Sequence, residues 1–275
     1  DAILQFIVAK AIRIARGQGN KHCSMMVNIS RFVDLQMQIE NMIKTYVRQT
    51  MQSIKACYRM PDDRADARMK AMRNIWETTY NDLEEEWDTV KDHLYEAVQS
   101  IQTIPVNSKS QVPLNYSEYE ERGEALTAIA IGGFSLSRGL TIEGLTISYM
   151  YRNTKMYDTL MQMGRWFGYR PGYEDLCRIY LNADSIEWYC HIADAADELR
   201  GQIRRMRRDN LSPEKFGLYV QRHPDSLLIT ARNKMREGER VLIQQDLSGK
   251  LRECHILKTD PAIVDANWQL IGAYW

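Results

Sequence analysis

The sequence has few cysteines, no excess charge and no long uninterrupted apolar run. Its five cysteines are scattered, without a C-x-x-C pair or a histidine at zinc-finger spacing, which argues against a structural zinc site and against a disulfide framework. We therefore expect a protein of the reducing cytoplasm. The apolar stretch from Ala2 to Ala15 is broken by Gln5, Lys10 and Arg13, so we expect neither a membrane span nor a signal peptide there.

The charge balance gives no evidence of a polyanionic partner. Lysine and arginine total 36, and aspartate and glutamate also total 36, so any nucleic-acid contact would have to come from a local patch. The 275 residues, 44% of them hydrophobic, are enough to bury one sizeable core. Because residue 1 is aspartate rather than methionine, we expect the chain to be part of a longer polypeptide.

Strand and helix patterns alternate along much of the chain. The predicted strands are residues 24–29, 127–131, 145–151 and 176–181, and the predicted helices are residues 2–16, 31–58 and 155–169. Gly17 and Gly19 should end the first helix, and Ser30 should cap the second. Alternation of this kind predicts an α/β fold, a mostly parallel sheet covered by helices on both faces.

Two regions depart from this alternation. A highly charged segment at about residues 60–104 predicts a helical insertion that ends in a polar loop at residues 105–116. From residue 182 the pattern indicates a helix through Arg208, a second helix beginning at Ser212 and a hairpin across Ser248 and Gly249. We therefore predict an α/β lobe at residues 1–181 and a mixed α+β extension at residues 182–275.

Two glycine-flanked arginine segments stand out, one at Gly132–Thr141 after a predicted strand and one at Gln162–Arg170 on a predicted helix. In an open parallel sheet the ligand crevice lies outside the carboxyl ends of the strands, so the loop after Ile131 should lie there. Small and hydroxyl residues offer donors to phosphate oxygens, and arginine offers a fixed charged fork. The segments therefore indicate phosphate chemistry. For any single residue, a tight turn or a surface ion pair is the alternative.

The segment Ile131–Arg170 resembles motifs V and VI of superfamily 2 helicases. It is still more closely similar to the bacterial Z-one domain, a family often labelled as an endonuclease that accompanies such a helicase core. The matching positions are Gly133 and residues 136–140, 143–145 and 156–170. The resemblance implies a RecA-like lobe, the second motor lobe of a nucleic-acid-dependent ATPase. It also implies that ATP and Mg²⁺ are bound mainly by a first lobe elsewhere in the same polypeptide.

The resemblance assigns the catalytic role to the second segment. Arg165 is the first candidate for an arginine finger, Arg170 is the second, and Gln162 would orient the polar network. Such a finger is worth roughly 10³ to 10⁵ in turnover. The spacing differs from the usual Q-x-x-G-R-x-x-R on both sides of the Gly-Arg pair, so the choice between the two arginines stays open.

The first segment would contact nucleotide and nucleic acid. The resemblance implies nucleotide contacts for Gly133, Arg138 and Gly139. It implies sequence-independent contacts to the nucleic-acid backbone for Ser135, Ser137 and Thr141.

A basic stripe lies further along the chain, where four arginines of residues 200–208 share one helix face at i, i+4, i+7 and i+8. We predict that Arg204 and Arg208 contact phosphates there. The alternative is that these arginines pair with Glu198, with Asp209 or with the acidic insertion, or that they dock against the first lobe.

Two sequence features of a complete ATPase are absent from this chain. The chain has no G-x-x-x-x-G-K-[ST] loop and no predicted strand that ends in paired acids, so we do not expect it to hydrolyse ATP alone. We expect no metal site, because the acidic residues at 62–63 and 84–86 and His191 are typical of loops and helix surfaces.

Two other functions stay open: a DNA endonuclease, and a non-catalytic DNA-binding scaffold that has lost motor activity. A preference for DNA over RNA comes from the family resemblance alone. The same is true of a role in restriction or phage defence, and of methyltransferase or nuclease subunits as partners.

Overall fold

The computed structural model describes residues 1–61, 64–107, 114–137, 140–151, 157–164, 168, 170–212 and 260–274. The chain forms two compact units, Asp1–Lys234 and Met235–Trp275. In the second unit the described element is a single helix, α9. Among the described helices, none has both the length and the apolar character needed to span a bilayer.

The elements follow one another in an α/β order. Their bounds are α1 Ala2–Ala15, β1 Cys23–Asn28, α2 Val33–Cys57, α3 Ala67–Thr79, α4 Trp87–Gln99, β2 Ile101–Val106, α5 Tyr116–Glu121, β3 Thr127–Gly132, α6 Phe134–Ser137, β4 Leu145–Met150, α7 Tyr157–Met163, β5 Arg178–Tyr180, α8 Ala183–Arg208 and α9 Pro261–Tyr274. A single 3-10 turn at Glu174–Leu176 precedes β5.

The five strands form one sheet in the order β2-β3-β1-β4-β5, and every pairing is parallel. All six residues of β1 and all six of β3 are buried. Apart from Asn28 at the end of β1, both strands consist of small and apolar residues, as expected where helices cover both faces of a sheet. The predicted α/β fold on a parallel sheet is confirmed.

Alternate residues of β1 separate two cores on opposite faces of the sheet. Met25 belongs to the larger core, which it shares with residues of α1, α2, α3 and α4. Met26 belongs to the smaller core, which includes Tyr116 of α5 and Leu136 of α6. A third cluster joins α7 to α8 through Leu160 and Ile192.

The charged region predicted as an insertion does form helices, α3 and α4, which pack against α1 and contribute to the larger core. The predicted end of that region is wrong, because residues 101–106 form strand β2. Pro105 indicated a loop, but in the described part of the chain β2 is an edge strand that pairs with β3. Proline is tolerated on an edge strand where its missing N–H costs no ladder hydrogen bond.

Two helix boundaries also differ from the prediction. Phe32 is the N-cap of α2, and the Ser30 hydroxyl instead accepts a hydrogen bond from the Phe32 N–H at 3.1 Å, because the chain bends at Arg31 and the helix begins two residues later than predicted. Helix α7 ends at Met163, where Gly164 follows. The helix and hairpin predicted between residues 212 and 257 lie outside the described residues.

Candidate functional site

The carboxyl ends of β1, β2 and β3 lie side by side and leave almost no room for the segment after β3. Gly132 is opposite Asn28 on one side and Val106 on the other. A Cβ on Gly132 would lie 2.6 Å from the Val106 carbonyl oxygen, and one on Gly133 would lie 2.3 Å from the Ser30 carbonyl oxygen. Glycine is needed at both positions because the backbones approach so closely. Gly133 therefore lies at the carboxyl edge of the sheet.

Two amide side chains fix the loop after β1. Gln36 Nε2 donates to the Ser30 carbonyl oxygen at 2.7 Å, and Asn107 Nδ2 donates to Gln36 Oε1 at 3.0 Å. Gln36 lies in the first turn of α2 and is only 2% exposed. Because buried hydrogen-bonded amides hold a defined geometry, the loop after β1 is tied both to α2 and to the residue that follows β2.

Two buried polar side chains near this edge lack hydrogen-bond partners. Asn28 Oδ1 and Nδ2 and Ser148 Oγ are unpartnered within the described chain, although Asn28 is 0% exposed and Ser148 is 1% exposed. Ser148 lies opposite Met26, and Asn28 lies opposite Met150, so the two side chains are diagonal neighbours on one face of the sheet. An unpartnered buried polar group costs about 1–3 kcal/mol, and such groups occur at functional sites.

The residues predicted for motif V follow this edge. Ser135 is exposed on α6, and Thr141 is exposed on the connection from α6 to β4. That connection runs back towards the amino end of the sheet because β3 and β4 both pair parallel with β1. Arg138, Gly139 and the side chain of Ser137 lie outside the described residues.

The second predicted segment begins on α7. Gln162 is exposed one residue before the helix ends. Because α7 follows the carboxyl end of β4 and β5 then begins at the amino end of the sheet, the chain crosses the sheet between these strands. Arg165 lies outside the described residues.

Arg170 lies near the amino end of β4. Burial raises the pKa of both Tyr173 and Cys177, and in each case the Arg170 charge opposes that rise. The Cys177 thiol in turn donates to the Leu145 carbonyl oxygen at the first residue of β4. Arg170 is thus close to the residues that lead into β5.

The structure does not bring Gly133 and Arg170 together. They lie near opposite ends of strands that are six residues long, which corresponds to about 17 Å. Two different ligands, or two parts of one extended ligand, are therefore needed to contact both segments.

The basic stripe lies on the last turns of α8. Arg200 pairs with Asp197 at 2.6 Å, and Arg208 pairs with its neighbour Asp209 at 3.2 Å. Arg204 is exposed. The pairing of Arg208 with Asp209 is the one that the alternative named, whereas Arg200 pairs with Asp197, which the alternative did not include.

A polar cluster at the amino end of the sheet is absent from the sequence-based prediction. A ring nitrogen of His22 and one carboxylate oxygen each of Glu120 and Glu143 lie within 4.8 Å of one another. The His22 ring also packs edge-on against the Tyr116 ring, with the two ring centroids 4.9 Å apart. These residues come from distant parts of the sequence, and only the fold brings them together. No local spacing could have indicated them.

The hydrogen bond at His22 Nδ1 decides what this cluster can bind. Its Nδ1 accepts a hydrogen bond from the Leu126 N–H at 2.9 Å, so the proton of the neutral ring is on Nε2, which faces Glu120 Oε1 at 3.6 Å. A histidine that ligates a metal usually donates its other N–H to an oxygen acceptor. Because His22 has the opposite arrangement, the three residues do not fit a divalent metal.

The fold and the candidate site together define an α/β lobe in which the carboxyl ends of a parallel sheet are closely packed and, among the described residues, incompletely hydrogen-bonded. A comparison with family models matches residues 1–228 to the Z1 domain, the Z-one family named above. The chain therefore belongs to the Z1 domain family. Neither the curated proteins nor the solved structures contain a match to it.

Proposed function

We propose that this chain is the second motor lobe of a nucleic-acid-dependent ATPase of helicase superfamily 2. The observation that supports it best is the separation of the two glycine-arginine segments along one parallel sheet. Gly133 lies at the carboxyl edge, and Arg170 lies near the amino end of β4. Such a separation suits a lobe that holds nucleic acid at one edge and reaches towards a nucleotide from another, and under this proposal Gly133 lies on the nucleic-acid side instead of making the nucleotide contact that the resemblance implies.

The nucleotide would lie between this lobe and a first lobe of the same longer polypeptide. That first lobe would supply the phosphate loop and the Mg²⁺ ligands, since this chain has no G-x-x-x-x-G-K-[ST] sequence. From this lobe, Arg165 or Arg170 would approach the γ-phosphate and stabilise the charge that develops in the transition state. Gln162, exposed near the end of α7, would help to orient that arginine.

The nucleic acid would lie along the carboxyl edge. Ser135 is exposed there and offers a hydroxyl donor to a phosphate oxygen, which is a contact that does not depend on base sequence. Arg204 and Arg208 are exposed on α8 and would add charge-dependent contacts that weaken as salt rises. We further propose DNA as the nucleic acid and bacterial restriction or phage defence as the setting, on the family resemblance. Methyltransferase or nuclease subunits would then be partners.

The test is ATP hydrolysis by the longer polypeptide, with and without DNA. We expect DNA-stimulated turnover to fall by roughly 10³-fold or more in whichever of Arg165→Ala and Arg170→Ala removes the finger, while ATP binding persists. Arg122→Ala is the matched control, because Arg122 is an exposed arginine that pairs with Glu118 on α5. Hydrolysis that is indifferent to both finger variants would contradict the motor function.

A further inference from the structure

Two aromatic side chains are exposed where the neighbouring strands β1 and β4 end. Phe32 follows β1 and is 61% exposed, and Tyr151 follows β4 and is 64% exposed. The Tyr151 N–H donates to the Asn28 carbonyl oxygen at 3.0 Å, which continues the β1–β4 ladder by one residue. Both rings are therefore presented from the carboxyl edge of the two strands at the centre of the sheet.

The backbone that carries the Phe32 ring is held by a hydrogen bond and by close packing. Two residues before Phe32, the Ser30 carbonyl oxygen accepts from Gln36 Nε2 and packs against Gly133. The Ser30 hydroxyl accepts from the Phe32 N–H. A ring on a constrained backbone loses little conformational entropy when a flat ligand stacks on it.

Among the described residues beside Phe32, one side chain is positive and one is negative. The Arg31 guanidinium lies over the Phe32 ring, 5.0 Å from its centroid, and the exposed carboxylate of Asp34 follows in the first turn of α2. The exposed ring faces therefore offer a binding surface that does not depend on net charge.

We propose that Phe32 and Tyr151 form a stacking platform for the unpaired bases of a single nucleic-acid strand, with Arg31 beside them as a planar cation. This inference rests on the proposed function, which places nucleic acid at the carboxyl edge, and it adds the substrate class. Every base has a π-face that can stack on an aromatic ring, whatever its identity. Bases in a duplex are already stacked and paired, so the platform selects single strands and reads no sequence.

The experiment compares three fluorescein-labelled probes by anisotropy on the 275-residue chain. They are an oligothymidylate, an abasic oligomer of the same length with the same phosphates, and a hairpin duplex; an oligouridylate then distinguishes RNA from DNA. We expect Phe32→Ala and Tyr151→Ala each to weaken oligothymidylate binding by roughly 5- to 150-fold. Binding of the abasic oligomer should be unchanged, because it has no base to stack.

The control substitutions separate stacking from general loss of apolar surface. Met42→Ala removes a side chain that is 70% exposed on the same helix, about 15 Å from Phe32, and should leave binding of every probe unchanged. Phe32→Trp and Tyr151→Phe keep a ring and should retain binding of the oligothymidylate.

Three results would overturn the inference: no binding of the oligothymidylate, equal losses on the abasic oligomer, or no loss in either alanine variant. A failure of the motor function would give a different result. ATP hydrolysis would then be unaffected by Arg165→Ala and by Arg170→Ala, while ring-dependent binding of the oligothymidylate would persist. Conversely, DNA-stimulated hydrolysis that depends on an arginine, with binding indifferent to both rings, would reject the platform and leave the motor function intact.

Discussion

The polar groups at the two ends of the central strand β1 differ in whether they are hydrogen-bonded. At the amino end polar groups are paired: His22 Nδ1 accepts from the Leu126 N–H, and Ser24 Oγ is 2.8 Å from Tyr116 Oη. At the carboxyl end Asn28 is buried and has no hydrogen-bond partner among the described residues, and the following loops expose aromatic rings. Hydrogen bonds within the fold therefore stabilise the amino end more than the carboxyl end, where we propose that a ligand binds. Substitutions at the two ends should therefore have opposite effects.

The largest effect should come from Gly144→Ala at the amino end. Gly144 has φ of +61°, and a Cβ there would lie 1.9 Å from the His22 carbonyl oxygen, so the substitution combines backbone strain with a collision against backbone. We expect the free energy of unfolding to fall by about 4 kcal/mol, measured by urea denaturation.

Gly123→Ala is the matched control for Gly144→Ala. Gly123 has φ of +69°, but nothing lies within 4 Å of its added Cβ, so only the conformational cost of about 1 kcal/mol should appear. If the two variants lost equal stability, the close packing against His22 would not be what fixes the amino end.

The next effect concerns the ion pairs that join α1 to the segments before α4 and β5. Arg16 Nε is 2.9 Å from Glu85 Oε1, and Arg16 Nη2 is 2.7 Å from Asp175 Oδ2. Arg16→Met leaves two carboxylates without their shared cation and should cost about 2 kcal/mol at pH 7. Arg73→Met, which removes an exposed helical pair with Glu77, should cost only about 0.3–0.5 kcal/mol.

The Arg16 contribution should also depend on pH. The Arg16 guanidinium lowers the pKa of Asp175, so the stabilisation is present above the unfolded carboxyl pKa of about 3.9 and is lost as pH falls through the lower folded value. The difference in unfolding free energy between the native chain and Arg16→Met should therefore be constant near neutral pH and shrink below about pH 4. A difference that grew on acidification would contradict this assignment.

A smaller effect is expected at Ser24, whose hydroxyl is paired with Tyr116. Burial raises the pKa of Tyr116 to about 12, so the phenol stays protonated at neutral pH and the pair remains an uncharged hydrogen bond. Ser24→Ala strands the buried phenol and should lower the free energy of unfolding by about 1.5 kcal/mol. Combining it with Tyr116→Phe should cost less than the sum of the two single losses, because Tyr116→Phe removes the O–H that Ser24→Ala leaves unpaired.

The fold was predictable where both faces of a strand are covered. The apolar runs of β1, β3 and β4 have no need of polar alternation, and their order with helices between them indicates a parallel sheet. Strand β2 was missed because it is an edge strand, half-exposed and interrupted by Pro105. Its strand character depends on pairing with β3, which no local pattern contains.

The candidate site was predictable only in part, for the same reason. Gly133 could be placed at the carboxyl edge because it follows a buried strand. The exposure of Phe32 and Tyr151 could not be predicted, since an aromatic residue beside a strand is usually part of the core and only tertiary packing decides otherwise. The cluster around His22 was equally hidden, because it joins residues just before β1 and β4 to a residue of α5.

The last expected effect is a gain in the free energy of unfolding, and it tests the difference between the two ends of the sheet most directly. Ser148 and Ser24 are both buried serines on neighbouring central strands, but the Ser148 hydroxyl has no partner within the described residues. Ser148→Ala removes a desolvated group that forms no bond, so the free energy of unfolding should rise by about 1 kcal/mol, whereas Ser24→Ala lowers it. If Ser148→Ala destabilised the chain as much as Ser24→Ala, the carboxyl half of the sheet would be as well paired as the amino half. If Ser148→Ala stabilises the chain and weakens binding of the oligothymidylate, the Ser148 hydroxyl contributes to ligand binding and lowers the stability of the fold.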